Sequence, residues 1–222
     1  MQLQFKKMEG TGNQILVVDQ RRQDAAPPAP DALRRLGDAS TGPGFDQLMW
    51  LGPARDDAMA ASYRVFNADG SEVEQCGNGV RCIVKLLSTE RPSDTSFTLE
   101  SPVGTVEARA LTDGRISVNM GRPVFDPHEV PFVAASESLY YDLNVAGTTY
   151  KVAVLSMGNP HCVLEVDDVL RADVRHLGPL IENHERFPER VNVGFMRCFG
   201  REHIALRVHE RGAGETAACG TG

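Results

Sequence analysis

Polar and apolar residues alternate over 96–101 (SFTLES), 104–111 (GTVEARAL), 115–120 (RISVNM), 148–157 (TTYKVAVLSM) and 203–210 (HIALRVHE). A period of two, bounded by Gly, Pro and Asp, predicts strands with one face against a core. Helical periodicity is rarer. It predicts helices over 31–40 (DALRRLGDAS) and 77–90 (GNGVRCIVKLLSTE), where apolar residues return every three or four positions. The run 25–30 (AAPPAP) reads as a surface loop, too short to link domains.

The pattern repeats. Cys219 minus Cys76 gives an offset of 143, and at that offset 70–79 (GSEVEQCGNG) falls on 213–222 (AGETAACGTG). Glu72 lands on Glu215, and both glycines of each Cys-Gly-x-Gly turn coincide. Upstream, 63–67 (YRVFN) falls on 206–210 (LRVHE), while 9–19 (EGTGNQILVVD) and 156–168 (SMGNPHCVLEVDD) share a Gly-Asn before an apolar run. Self-similarity on this scale predicts an α+β fold of two similar pseudo-symmetric domains, 1–118 and 119–222. Each would hold a mixed, antiparallel or barrel-like sheet around a central helix, with the active site in the cleft between them.

Composition narrows the chemistry. A net charge of −7 and only four lysines, Lys6, Lys7, Lys85 and Lys151, argue against a nucleic-acid surface. The N-terminus MQLQFKKMEG has no apolar leader, and no stretch approaches the roughly 18 apolar residues of a membrane span. Five widely spaced cysteines, an odd number, read as reduced thiols in a cytoplasmic protein. Cys82, Cys162 and Cys198 are expected in the core.

Cys76 and Cys219 are different. A Cys-Gly-x-Gly turn opening a helix leaves backbone N–H groups free to hold an anion, and the helix dipole stabilises a thiolate. A free thiol titrates near about 8.5, and such a setting lowers it. One cysteine in such a turn is ordinarily a small buried residue; two at equivalent places in a repeat point to paired chemistry. Thiolate and thiol on opposite sides of a carbon acid can remove a proton from one face and deliver one to the other. The amide nests would hold the carboxylate and its developing charge. That is racemase or epimerase logic with no cofactor. The cysteine spacing is not a zinc array. No lysine sits beside a glycine-rich phosphate turn as pyridoxal phosphate would need, and 10–14 (GTGNQ) is not GxGxxG.

Four stretches carry a family resemblance: 66–82 (FNADGSEVEQCGNGVRC), 156–163 (SMGNPHCV), 185–196 (ERFPERVNVGFM) and 210–222 (ERGAGETAACGTG). In order and spacing they are similar to diaminopimelate epimerase, over essentially the whole chain. The resemblance implies interconversion of LL- and meso-2,6-diaminopimelate, for lysine and cell-wall precursors, by a cytoplasmic homodimer. It implies Cys76 and Cys219 as the catalytic pair. Gly77, Asn78, Gly220 and Thr221 match the turns that hold the reacting carboxylate. Asn13, Gln47, Asn67, Asn159, Asn192, Glu210 and Arg211 match substrate-lining positions, and His161 and Glu210 match residues that tune the thiols. Taken singly, each Asn reads as a turn residue and Arg211 as a surface charge.

Departures are also visible. The family's Met-His-Gly-Leu-Gly-Asn-Asp-Phe reads here as 8–15 (MEGTGNQI), and His209 stands where Trp or Tyr is common. By the repeat, the stop at Gly222 leaves the second copy short of roughly forty residues. A truncated or fragmentary chain, weakly stable and nearly inactive, is therefore expected. Alternatives are a proline or hydroxyproline racemase of the same fold, or an inactive amino-acid-binding or redox-sensing protein.

Overall fold

Alternating residues become a sheet where every second side chain can reach a core. The computed structural model describes residues 3–23 and 25–222, and these group into two units, Met1–Gly121 and Arg122–Gly220.

The first unit holds one mixed sheet: β1 (Lys6–Gly10), β2 (Asn13–Asp19), β3 (Gln47–Gly52), β4 (Ala61–Asn67), β5 (Glu72–Val73), β6 (Ser96–Ser101), β7 (Gly104–Ala110) and β8 (Ile116–Val118). The order is β1-β2-β3-β4-β6-β7-β8, with β5 paired to β4. Helix α1 (Pro30–Gly37) crosses over between the parallel strands β2 and β3. Helix α2 (Gly77–Glu90) packs against β1, β2 and β3 and also against β7 and β8, so the sheet curls around it.

Strands β2 and β3 are largely buried on both faces, as is the end of β4 over 65–67. Ile15, Val17, Met49, Leu51 and Val65 pack with α2, whereas Leu16, Val18, Leu48, Trp50 and Phe66 pack with Leu33 of α1. Two buried faces make a continuous apolar run, which hides β3 from any search for alternation. Helix α2 forms as its periodicity predicts. Val80, Ile83, Val84 and Leu87 are fully buried at helical spacing, each worth about 1.5–3 kcal/mol. The helix ends at Glu90, just ahead of Pro92, which disfavours helical geometry in Arg91.

The second unit holds β9 (Tyr141–Val145), β10 (Thr148–Ser156), β11 (Pro160–Glu165), β12 (Asn192–Cys198), β13 (Ile204–Glu210) and β14 (Gly214–Thr216), in the order β14-β13-β12-β11-β10-β9. Helix α3 (Val174–Glu182) joins the parallel strands β11 and β12. Gly178 and Pro179 hide this helix in the sequence, since both are poor helix formers. Asp173 caps it by accepting His176 N–H at 3.3 Å. Val154, Cys162, Leu164, Ile181, Val193 and Phe195 form its core.

The sequence repeat is a repeat of pairing. The pairs β1/β2, β3/β4 and β4/β5 are antiparallel around a parallel β2/β3. Likewise β10/β11, β12/β13 and β13/β14 are antiparallel around a parallel β11/β12. Strand β5 leads into α2, whereas residues 217–222 after β14 have no regular structure.

Cys82 and Cys162 are core residues as expected, but Cys198 is exposed. The reading of Cys198 as core fails because β12 runs out past its covered part, with its last two residues in solvent. Among the described residues no helix is long and apolar enough to cross a membrane.

Candidate active site

Strands β2 and β3 start side by side, and β4 ends beside them. Ile15 lies opposite Gln47, and Gln47 opposite Asn67. Residues two apart share a face, so Asn13, Gln47 and Asn67 meet at one end of the sheet, on the side of α2. All three are buried, at 2%, 5% and 2% exposure. Polar groups are removed from water in this way only when something there needs them.

Cys76 completes this cluster. It is the N-cap of α2, and its Sγ accepts Gly79 N–H at 3.1 Å. The same sulfur donates its proton to Gln47 Oε1. Gln47 Nε2 donates onward to Asn67 Oδ1 at 3.4 Å, Asn67 Nδ2 to Ser71 Oγ at 3.4 Å, and Ser71 Oγ to Asp69 Oδ1 at 2.5 Å. The chain of donors thus runs one way, from the thiol to a carboxylate. Gly79 suits this arrangement: a Cβ there would run into the Met49 thioether, which would have to move for the first turn of α2 to lie so close to β3.

Gly77 and Asn78 occupy the first turn of α2, both buried. Asn78 Oδ1 accepts from Thr11 Oγ1 at 2.9 Å and Arg81 Nη1 at 2.8 Å. Thr11, one of the departures from the family pattern, therefore steadies a predicted site residue. Ile15, another, is fully buried in the core. Asn13 Oδ1 is a buried acceptor with no hydrogen-bond partner. Such an atom costs about 1–3 kcal/mol unless a donor arrives.

The second unit repeats the geometry. His161 lies opposite Asn192, and Val193 opposite His209. Asn192 and Glu210 therefore point to the face away from His209, and His161 points there with them. Asn159, His161, Asn192, Glu210 and Arg211 are all buried. His161 Nε2 lies 3.0 Å from Asn159 Oδ1. Asn192 Nδ2 donates to Pro160 O at 2.9 Å, and Asn192 Oδ1 accepts Arg211 N–H at 3.0 Å. Arg211 Nη1 donates to Glu189 O at 3.1 Å, and Thr216 Oγ1 donates to Glu210 Oε1. Burial, then the nearby Arg211 guanidinium, lowers the His161 pKa to about 4, so its imidazole is neutral at pH 7.

Cys219, Gly220 and Thr221 are half-buried. Gly222 lies over the Leu206–Val208 face of β13 and beside Cys219, since a Cβ on it would sit 3.2 Å from Cys219 Cβ and 3.3 Å from Leu206 and Val208 side-chain atoms. The core thiols contrast with this pair of turns. Burial pushes Cys82 up to about 11 and Cys162 higher still, leaving both inert.

A cavity of about 940 Å³ opens at the other end of β2, lined in part by Asp19, Arg21, Glu90 and Arg91. Its Arg21 is already bound by Asp19 at 2.5 Å and Glu90 at 2.8 Å, and it lies away from Cys76.

The family model for diaminopimelate epimerase matches residues 5–125 and 153–222. The chain belongs to the diaminopimelate epimerase family. Solved structures of the same fold include a probable proline racemase from Agrobacterium radiobacter, with TM-score 0.74 and 17% identity, covering 99% of this chain and 74% of that one. A hydroxyproline epimerase from Agrobacterium vitis, solved with trans-4-hydroxy-L-proline, gives 0.69 and 16%, covering 99% and 73%. A PhzF-family phenazine biosynthesis protein from Bacillus anthracis gives 0.57 and 15%, covering 98% and 75%. At these identities the likeness establishes the two-sheet α+β fold. Membership of the epimerase family places the chain among isomerases of the epimerase and racemase type.

Asp69, Ser71 and Glu182 escape sequence reading, as does the role of His209. Asp69 and Ser71 sit in an Asp-Gly-Ser turn that reads as a turn and nothing more. Glu182 and His209 lie 27 positions apart and meet only through the fold, at 2.7 Å.

Proposed function

We propose that the chain is an amino-acid epimerase that interconverts LL- and meso-2,6-diaminopimelate by two-base proton transfer at the α-carbon. The observation that carries this reading is the placement of Cys76 Sγ at the N-cap of α2, taking Gly79 N–H, at the strand end that holds Asn13, Gln47 and Asn67. A thiolate formed there is stabilised by the helix dipole and the amide, by about 0.3–2 kcal/mol for the dipole alone.

On this reading the halves 1–118 and 119–222 each supply one thiol. Cys76 and Cys219 act on opposite faces of one α-carbon, one as thiolate base and the other as thiol acid, and exchange roles in the reverse direction. Backbone amides at Gly77, Asn78, Gly220 and Thr221 hold the reacting carboxylate as charge grows on it. Asn13 Oδ1, buried and lacking a donor, accepts from a substrate ammonium. Asn159, Asn192 and Arg211 grip the distal amino-acid end, while Gln47, His161 and Glu210 set the proton position on the thiols. No cofactor takes part. The enzyme works in the cytoplasm as a homodimer and supplies meso-diaminopimelate for lysine and the cell wall.

The test is solvent-deuterium incorporation at the α-carbon under reducing conditions, with LL-diaminopimelate and L-proline in parallel. Incorporation into diaminopimelate alone supports the proposal, and Cys76→Ala should reduce it at least 10³-fold, within the range lost with an essential catalytic group. Incorporation into proline alone would replace the substrate and keep the chemistry. Incorporation into neither, by this chain and by a version extended past Gly222, would overturn the enzymatic reading.

A further inference from the structure

The end of β13 turns sharply into β14. Ala213 N–H donates to Glu210 O at 3.1 Å, closing a four-residue turn. Gly212, its third residue, has φ +75°, which glycine adopts without strain. This corner carries both Glu210 and Arg211. A turn this tight leaves its central amide facing away from the strands, and that amide needs an acceptor.

Glu182 supplies it. Its Oε1 accepts Gly212 N–H at 2.8 Å and Arg190 Nη1 at 3.3 Å, while Oε2 meets His209 Nε2 at 2.7 Å. The carboxylate comes from the last residue of α3 and is only 6% exposed. His209 is equally buried and reaches Glu182 because α3 has a glycine where the ring lies. A Cβ on Gly178 would come within 2.6 Å of the ring. His209 points to the α3 side and Glu210 to the other, so the anchor lies behind the corner and stays clear of the face that bears Asn192.

We propose that Glu182 is a positioning residue: through Gly212 N–H and His209 it sets the corner that presents Glu210 and Arg211. The consequence for substrate rests on the function proposed above, whereas the anchoring itself does not. Glu182 touches neither Cys219 nor the face that bears Asn192 and Glu210, and its effect on chemistry passes through the corner. Its loss should therefore loosen the Arg211 grip on substrate, read in KM, and the placing of Glu210 for proton transfer, read in kcat.

The experiment uses the full chain with Glu182→Ala and Glu182→Gln. Amide hydrogen exchange of Gly212 is read by NMR beside that of Val193 and Phe195, and KM and kcat are read with LL-diaminopimelate. In the Ala variant, Gly212 should exchange at least tenfold faster with Val193 and Phe195 unchanged, while KM rises and kcat falls, each about tenfold. Gln keeps an acceptor for Gly212 and should recover most of both losses. If the Ala variant fails to fold, intermediate Gly212 exchange in the Gln variant, with core amides at wild-type rates, still supports the anchor. Unchanged Gly212 exchange overturns it, as does equal loss of protection at Gly212, Val193 and Phe195, which marks a purely structural residue. If neither the wild-type chain nor a version extended past Gly222 shows turnover, the functional reading fails, and Gly212 exchange alone decides the anchor.

Discussion

Asn13 combines two properties that rarely coexist in one side chain: near-complete burial and an unpaired acceptor. A group kept dry without a partner costs folding free energy, and selection retains it when a ligand supplies the missing donor. Asn13→Ala should therefore change unfolding free energy by less than about 1 kcal/mol, because an unmet acceptor is removed with the amide. The same change should raise KM for diaminopimelate at least tenfold, and steady-state kinetics beside urea unfolding separate the two effects. Gly178 shows the opposite balance, since its missing side chain is filled by the His209 ring. Gly178→Ala should destabilise by about 1–3 kcal/mol through overpacking, measurable as a lower urea midpoint. Neither property is visible in the sequence. An Asn after Gly reads as a turn, and a glycine before proline reads as the end of a helix.

Among the elements, α2 shows how a cap and a catalyst can be one atom. Cys76 Sγ accepts Gly79 N–H as a serine oxygen would. Cys76→Ser should keep the cap and lose the chemistry, whereas Cys76→Ala loses both and should be less stable than the Ser variant by about 1 kcal/mol. Strand β11 carries a pH-dependent term. Burial and Arg211 take His161 from its ordinary 6.5 to about 4, so the unfolded chain binds a proton more readily between those values. Stability from this group is complete above pH 6.5 and declines as pH falls, by about 2 kcal/mol at pH 5. His161→Gln should flatten the slope of urea midpoint against pH in that window. Glu182 acts lower. Burial raises its carboxyl, but the bonds from His209 and Gly212 and the Arg190 charge outweigh this and hold it below 4.5. Its contribution survives the His161 window and is lost only in stronger acid. Helices α1 and α2 and the half-buried strands were legible because each has one solvent face. Strand β3 and helix α3 were not, one being buried on both faces and the other carrying Gly178 and Pro179.

For the whole molecule, duplication was the most legible feature, because equivalent turns and strand ends recur in the same order at offsets of 143 to 146 residues. The structure adds the reason the spacing persists. Each copy joins its parallel pair through a helix and brings polar residues to the starts of two strands and the end of a third. The two copies have nonetheless become unlike chemically. Asn67 in the first corresponds to Glu210 in the second, and Gln47 to Asn192. If Cys76 and Cys219 work as one unit, Cys76→Ala combined with Cys219→Ala should lose little more activity than either alone. Losses that multiply would show two independent sites.

The two-sided burial of β2 and β3 has a consequence for strand length. Odd positions Gln47, Met49 and Leu51 serve the α2 side, and even positions Leu48 and Trp50 serve the α1 side. A one-residue shift in the pairing of β3 would exchange the two sets, turning Trp50 to the α2 side and Gln47 into an apolar core. Point changes can be accepted here one at a time, but a change of strand length by an odd number alters every position at once. Volume and packing therefore constrain β3 one position at a time, whereas its parity is constrained as a single unit.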